Sequence, residues 1–340
     1  MKQMSTLALA SLLTVAASAA NLVDTAKEAG LKAIPSSTTE LLKLTDKAEN
    51  PITDAKVELG KKLYFDPRLS KSGLISCNTC HNLATGGVDN VPAAIGHKWT
   101  ANPHHLNSPT VYNAVFHSSQ FWDGRSPHLE DQAQGPIQAG PEMAAPKSLI
   151  VERINSIPAY VKEFKRAYGP DVKVTFEKIA DTIAVFERTL VTPSRFDKFM
   201  EGCGKALNKE EQQGLKTFID KGCASCHNGV ALGGTMQPFP VVNAFKHANV
   251  GDFKGDANGM VKVPTLRNIT ETAPYFHNGT VWSLKEAVQI MGDTQLGLQL
   301  SDKEADSIVT FLKALEGKKP QIIYPVLPAS TEKTPMPDAL

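Results

Sequence analysis

The sequence predicts a mainly α fold: two tandem helical domains with long loops and an extended C-terminal tail. Three observations lead there. The motif Cys-x-x-Cys-His occurs twice, at Cys77–His81 and at Cys223–His227. Each copy follows an amphipathic stretch with a small residue four positions before an aromatic, and each is followed downstream by a closing run at helical spacing. The 340 residues suit about two domains of ordinary size, and strand signals are few.

Taken in order, residues 1–20 read as a secretory signal. Lys2 supplies the basic start, Leu7 to Ala17 an apolar stretch too short to span a bilayer, and Ala17-Ser18-Ala19 the cleavage site. The first domain is expected over residues 21–194. It holds the amphipathic Glu58–Phe65 segment, in which Gly60 precedes Tyr64, and closes with Ile179, Ile183, Phe186 and Leu190. The join falls near Thr192-Pro193-Ser194-Arg195, where Pro and Ser interrupt the helical pattern. The second domain, residues 195–319, repeats the arrangement. Gly214 precedes Phe218, and Ser301-Asp-Lys-Glu304 is a capping box ahead of Ile308, Val309, Leu312 and Leu315. The tail, residues 320–340, carries Pro320, Pro325, Pro328, Pro335 and Pro337, and should lie extended across the other domain.

Hydrophobic content of 41 % and charged content of 21 % suit a soluble globular chain. Lys2 is the only charged residue in positions 1–20, so its removal leaves 35 Lys+Arg against 35 Asp+Glu. That balance argues against a nucleic-acid partner. No later segment has the apolar length of a membrane span.

Five cysteines in an exported chain would first suggest disulfides. Four of them, Cys77, Cys80, Cys223 and Cys226, fall instead in the two motifs. Cys203 is left over, as a free thiol or an intermolecular partner. Cys-x-x-Cys-His is the attachment signature of c-type haem: two thiols on one face meet two vinyl groups on one porphyrin edge, and the adjacent histidine places a nitrogen under the iron. Zinc would need further Cys or His ligands nearby, and neither motif has them. His81 and His227 are the proximal ligands on this reading. The opposite ligands remain open from the residues alone. Met236, Met260 and Met291 compete in the second domain; His97, His104, His105 and His117 compete in the first.

A longer pattern surrounds these motifs. Its first half includes Gly86-Gly-Val-Asp89, Ile95-Gly-His97, Ser108-Pro-Thr110, Asn113-Ala-Val-Phe116, Phe121-Trp-Asp-Gly-Arg125 and Gly135-Pro-Ile-Gln-Ala-Gly-Pro-Glu-Met143. Its second half includes Val263-Pro-Thr-Leu-Arg-Asn268, Thr272-Ala-Pro-Tyr-Phe-His-Asn-Gly279 and Ala287-Val-Gln-Ile-Met291. In order, and over nearly the whole mature chain, this resembles the bacterial di-haem cytochrome c peroxidases. The resemblance implies two covalent haem c groups, and reduction of hydrogen peroxide by electrons from a small c-type cytochrome or similar donor in the periplasm. It places the distal ligand of the electron-transfer haem on Met291 and that of the peroxidatic haem on His97, sixteen residues after His81. His97 sits in a loop with Gly86, Gly87 and Gly96, which permit movement. Glu142 matches the catalytic carboxylate, Gln132 a residue that orients peroxide or water, and Trp122 an aromatic between the haems. Calcium is implied at Asn107, Thr272 and Pro274, and a homodimer is implied as well. Two rivals are weighed. One is a di-haem electron carrier without peroxidase activity. The other is the related oxidase that matures a quinone on a partner protein and uses a tyrosine where this chain has Met291.

Overall fold

The computed structural model describes residues 19–338. The expected signal segment, residues 1–20, lies outside the described residues but for its last two.

The N-terminal core is built on two crossing helices, Asp54–Phe65 and Phe176–Glu187. Thr53 and Thr175 cap them, each side chain accepting from the backbone N–H three residues on. Leu59, Leu63 and Tyr64 pack against Ile179, Ile183 and Phe186. The crossing is close because Gly60 has no side chain: a Cβ there would lie 2.2 Å from the Thr182 carbonyl oxygen. Helices Lys147–Asn155 and Pro158–Tyr168 complete this core with Ile150, Ile154, Tyr160 and Phe164.

The C-terminal core repeats the device. Helices Lys209–Asp220 and Asp302–Lys313 each begin with a capping box, Asn208 with Glu211 and Ser301 with Glu304. They cross at Gly214, where a Cβ would meet the Ser307 carbonyl oxygen at 2.1 Å. Leu215 and Phe218 pack against Ile308, Phe311 and Leu312, and helix Leu284–Leu296 lies alongside. The one paired sheet among the described residues is an antiparallel ribbon, Met236–Pro238 with Met260–Lys262, in the register Met236 to Lys262.

Two segments cross between the halves. Residues 19–28 are helical and put Ala19, Val23 and Ala26, with Leu31 just beyond, into the C-terminal core. The range 21–194 therefore does not pack as one body: its first stretch serves the other core, because its apolar face finds Phe196, Phe199 and Leu232 there. The tail makes the reverse journey. Tyr324 packs edge-on against Phe65, and Arg68 donates to the Pro328 carbonyl. Arg153, fully buried, donates to the carbonyls of Pro335 and Met336 as well as to Arg68, Ser70 and Lys71.

The join is itself a bonded centre. Thr192 is fully buried, and its hydroxyl accepts from the Nδ2 groups of both Asn113 and Asn268 at 2.8 Å. Both asparagines are left-handed, at φ 63° and 58°, and each heads a 3-10 turn. Asparagine tolerates that conformation better than most residues. They end matching segments, Pro109-Thr-Val-Tyr-Asn113 and Pro264-Thr-Leu-Arg-Asn268. In each, the threonine hydroxyl donates to a loop carbonyl, Gly86 at 2.7 Å and Ala231 at 2.6 Å. The two halves share one internal frame.

Candidate active site

In the first half, Cys77–Cys80 forms one helical turn, with the Ser76 N–H donating to the Thr79 hydroxyl at 3.0 Å. Tyr64, anchored in the core, donates its hydroxyl to the His81 carbonyl at 2.6 Å. The His81 Nδ1 lies 2.9 Å from the Pro109 carbonyl oxygen. A carbonyl can only accept, so Nδ1 carries the proton and Nε2 keeps a free lone pair, the form an iron ligand requires. Burial lowers the His81 pKa, which keeps the ring neutral.

The second half does the same with different loops. His227 is buried, its Nδ1 lies 3.3 Å from the Leu232 carbonyl oxygen, and burial pushes its pKa down to about 4. Cys223, Cys226 and His227 open into a cavity of about 630 Å³. Its wall is largely apolar, with Leu266, Phe276, Ile290 and Leu312. A cofactor-sized, mostly apolar cavity beside two thiols and a neutral imidazole is what a tethered porphyrin needs. Met291, from helix Leu284–Leu296, lines this cavity; Met236 and Met260 are in the ribbon and do not.

His97 sits in a clasped loop. Its N–H donates to the Glu142 carbonyl at 2.6 Å, and Gly96 lies so close that a Cβ would fall 2.0 Å from the Pro141 carbonyl oxygen. Only glycine fits there. Lys98 and Trp99 follow in the left-handed region, at φ 55° and 57°. The His97 Nδ1 is buried with no hydrogen-bond partner. The loop also reaches the first attachment turn, with Cys80 Sγ 3.8 Å from the Ile95 carbonyl oxygen. Glu142 is therefore joined to the His97 loop through its backbone. Its carboxyl is raised above the ordinary range by burial, with the Arg125 and His104 charges opposing. Gln132, half-buried, ends the short helix Leu129–Gln132. The competing histidines go elsewhere: His104 pairs with Asp252 at the surface, His105 takes φ 50° in an adjoining turn, and His117 turns toward Lys262.

Trp122, Asn107, Thr272 and Pro274 all line the large cavity. The Trp122 indole N–H donates to the Asn107 carbonyl at 3.0 Å, and its ring meets Phe253 and His277 edge-on. The Asn107 Nδ2 donates to the Val91 carbonyl at 2.8 Å, so its Oδ1 is the atom left for an oxygen-seeking cation. Cys203 is exposed and unbonded. Three contributors to the site had no weight in the sequence. Asn113 and Asn268 could have been found from the repeated Pro-Thr-x-x-Asn. Lys262 gave no signal.

Comparisons with known proteins fit this geometry. The family profile of di-haem cytochrome c peroxidase matches residues 54–206, and that of cytochrome c matches residues 212–316. The chain is 48 % identical to the cytochrome c551 peroxidase of Pseudomonas aeruginosa, over 90 % of both chains. It is 46 % identical to the cytochrome c551 peroxidase of Nitrosomonas europaea, covering 85 % of this chain and 88 % of that one. Among solved structures, a MauG-like protein associated with microbial copper homeostasis superposes with a TM-score of 0.69 at 26 % identity, covering 80 % of this chain and 92 % of that one. With two haem-attachment turns in one repeated frame and this similarity along nearly its whole length, the chain belongs to the di-haem cytochrome c peroxidase family.

Proposed function

We propose that the chain is a periplasmic di-haem peroxidase that reduces hydrogen peroxide to water with electrons from a small c-type cytochrome or similar donor. The observation that carries this reading is the clasp between the His97 loop and the Glu142 segment beside the first attachment turn. A plain electron carrier has no use for a half-buried carboxyl of raised pKa there.

The haems, when bound through Cys77 and Cys80 and through Cys223 and Cys226, supply the redox chemistry. The protein's residues then take distinct parts. His81 and His227 offer Nε2 as proximal ligands, held in one tautomer by their carbonyl partners. Met291, which lines the same cavity, would supply the second ligand of the haem at the electron inlet. His97 closes the peroxide site until its loop moves. Glu142, whose pKa burial raises, is the group that passes the proton between the two peroxide oxygens. Gln132 orients peroxide by hydrogen bonding. Trp122 stands at the wall between the halves, where it serves electron passage. Calcium, if bound, would be held by the Asn107 Oδ1 and the carbonyls of Thr272 and Pro274, and would supply a fixed positive charge between the two sites. Residues 1–20 export the chain, one haem site belongs to 21–194 and the other to 195–319, the start of the first range packing in the second core, the tail is 320–340, and the assembly is a homodimer.

The test is peroxide turnover by the fully oxidised and the half-reduced protein, with spectra of each. Turnover in the half-reduced state and its loss in Glu142→Gln, with both haem spectra intact, is the expected result. Low-spin spectra and no turnover in either state would leave the electron-carrier reading standing.

A further inference from the structure

Among the polar groups that line the large cavity, two meet from opposite halves of the chain, Lys262 and His117. Lys262 ends the ribbon strand Met260–Lys262 and is 5 % exposed. His117 follows the 3-10 turn Ala114–Phe116. The Lys262 Nζ lies 3.4 Å from the His117 Nδ1, and both residues line the cavity that holds Cys223, Cys226 and His227. The His117 Nε2 is buried and has no partner. No carboxylate among the described residues forms an ion pair with Lys262; Asp123 acts on it only from a distance.

The His117 ring is closely packed, and the Lys262 backbone is fixed at the start of its side chain. A Cβ at Gly234 would sit 2.6 Å from the His117 Cδ2, and the Lys262 N–H donates to the Trp122 carbonyl at 2.8 Å. Burial pushes the Lys262 ammonium down to about 8 and His117 well below its ordinary range. A buried ammonium and an imidazole nitrogen without a partner are costly unless an anion meets them. The cavity's own occupant carries such an anion. A porphyrin of the haem type attached through its vinyl edge bears two propionate carboxylates on another edge.

We propose that Lys262 and His117 form a carboxylate-binding subsite that takes a propionate of the haem tethered at Cys223 and Cys226, and that this contact fastens the two halves of the chain to each other. The proposal rests on the haem reading of that cavity. It adds a pair of residues, 145 positions apart, whose common partner is the cofactor.

The holoprotein is compared with Lys262→Met, Lys262→Arg and His117→Gln. Haem content is measured first, as the pyridine complex. A wild-type chain with one haem would sink the haem reading, and the subsite with it. With two haems bound, the midpoint potential of each is measured by spectroscopic titration. Removing the cation leaves the carboxylate charge uncompensated and favours the ferric state. The second-haem potential should therefore fall in Lys262→Met, fall less in His117→Gln, and recover in Lys262→Arg, while the first-haem potential stays. Amide exchange over residues 117–122 and 260–264 should rise in Lys262→Met. Unchanged potential and unchanged exchange in both non-conservative variants would overturn the proposal. So would a second-haem potential that follows added phosphate in the wild type, since the subsite would then be taking a free anion. His117→Gln keeps the test open if Lys262→Met does not fold.

Discussion

Gly214→Ala separates two opposing effects by sign. In an exposed helix interior the change would stabilise by about 1 kcal/mol, because alanine has the higher helix propensity. Here the new Cβ would lie 2.1 Å from the Ser307 carbonyl oxygen and 2.8 Å from the Phe311 Cβ. The nearest atom is backbone and cannot rotate away, so the helices Lys209–Asp220 and Asp302–Lys313 must part by about 1 Å to restore ordinary contact. Five side chains meet at the crossing: Leu215, Phe218, Ile308, Phe311 and Leu312. At about 2 kcal/mol each they contribute roughly 10 kcal/mol, and a gap of that size forfeits about a quarter of it. Less the propensity gain, the net loss is roughly 1.5 kcal/mol, a fall of some 5–10 °C in the midpoint of that half. The assay is thermal unfolding followed at the second-haem band, with Gly140→Ala as control, since a Cβ at Gly140 meets nothing within 4 Å. A Gly214→Ala protein as stable as the wild type, or more so, would refute the close crossing.

Further outcomes follow from other contacts. Arg267 and Asp197 form a fully buried pair, 2.8 Å and 3.0 Å between their nearest atoms, that also gathers the Lys32 carbonyl and the Ile34 N–H. Arg267→Met should cost about 3–5 kcal/mol in denaturant unfolding, because it strands a buried carboxylate. Burial pushes the Glu187 carboxyl up to about 8 from 4.5. Between those values the folded chain holds a proton that the unfolded chain has released, so stability is lost as pH rises through the window. Glu187→Gln should match the wild type near pH 4 and exceed it by about 5 kcal/mol near pH 9, and parallel stability curves would contradict the assignment. Deleting residues 320–340 removes two acceptors from the buried Arg153 and uncovers Phe65. First-half unfolding should shift down by several degrees while the second half keeps its midpoint. Met291→Leu should lower the second-haem potential markedly, and an unchanged potential would move the distal ligand elsewhere.

What could be read from the chain was whatever local spacing encodes. Gly60 with Tyr64 and Gly214 with Phe218 announced the two crossings because a bare helix face repeats every three to four residues. Ser301 with Glu304 announced a helix start, and the structure places the cap there. The attachment motifs carried their chemistry in five residues each. What escaped depends on contacts between distant segments. The helix at 19–28 continues an apolar region that reads as export signal, and its packing partners begin at Phe196. Thr192 looks like ordinary linker, yet its hydroxyl is shared by two asparagines 155 positions apart in a fully buried centre. Arg153 looks like a surface cation on an amphipathic helix; the carbonyls of residues 68–71 and the returning tail together bury it.

The two halves share their proximal architecture and differ on the distal side, and that difference suits unlike roles. Each proposed proximal histidine leans on a loop carbonyl, and each frame closes on an asparagine bonded to Thr192. The proposed distal ligands do not match. Met291 projects from the middle of a thirteen-residue helix capped by Ser283, so withdrawing it means breaking helical hydrogen bonds. His97 projects from a loop in which Lys98 and Trp99 are both left-handed, at about 1–2 kcal/mol each for side chains of that kind. That strain is held by the Gly96 contact with Pro141 and by the bond from the His97 N–H to Glu142. On the proposed roles, release of the loop would relieve the strain and free the Glu142 backbone in the same motion. A duplicated frame would thus acquire one fixed and one yielding face through local backbone energy, and the proposed yielding face is the one with the half-buried Glu142 beside it.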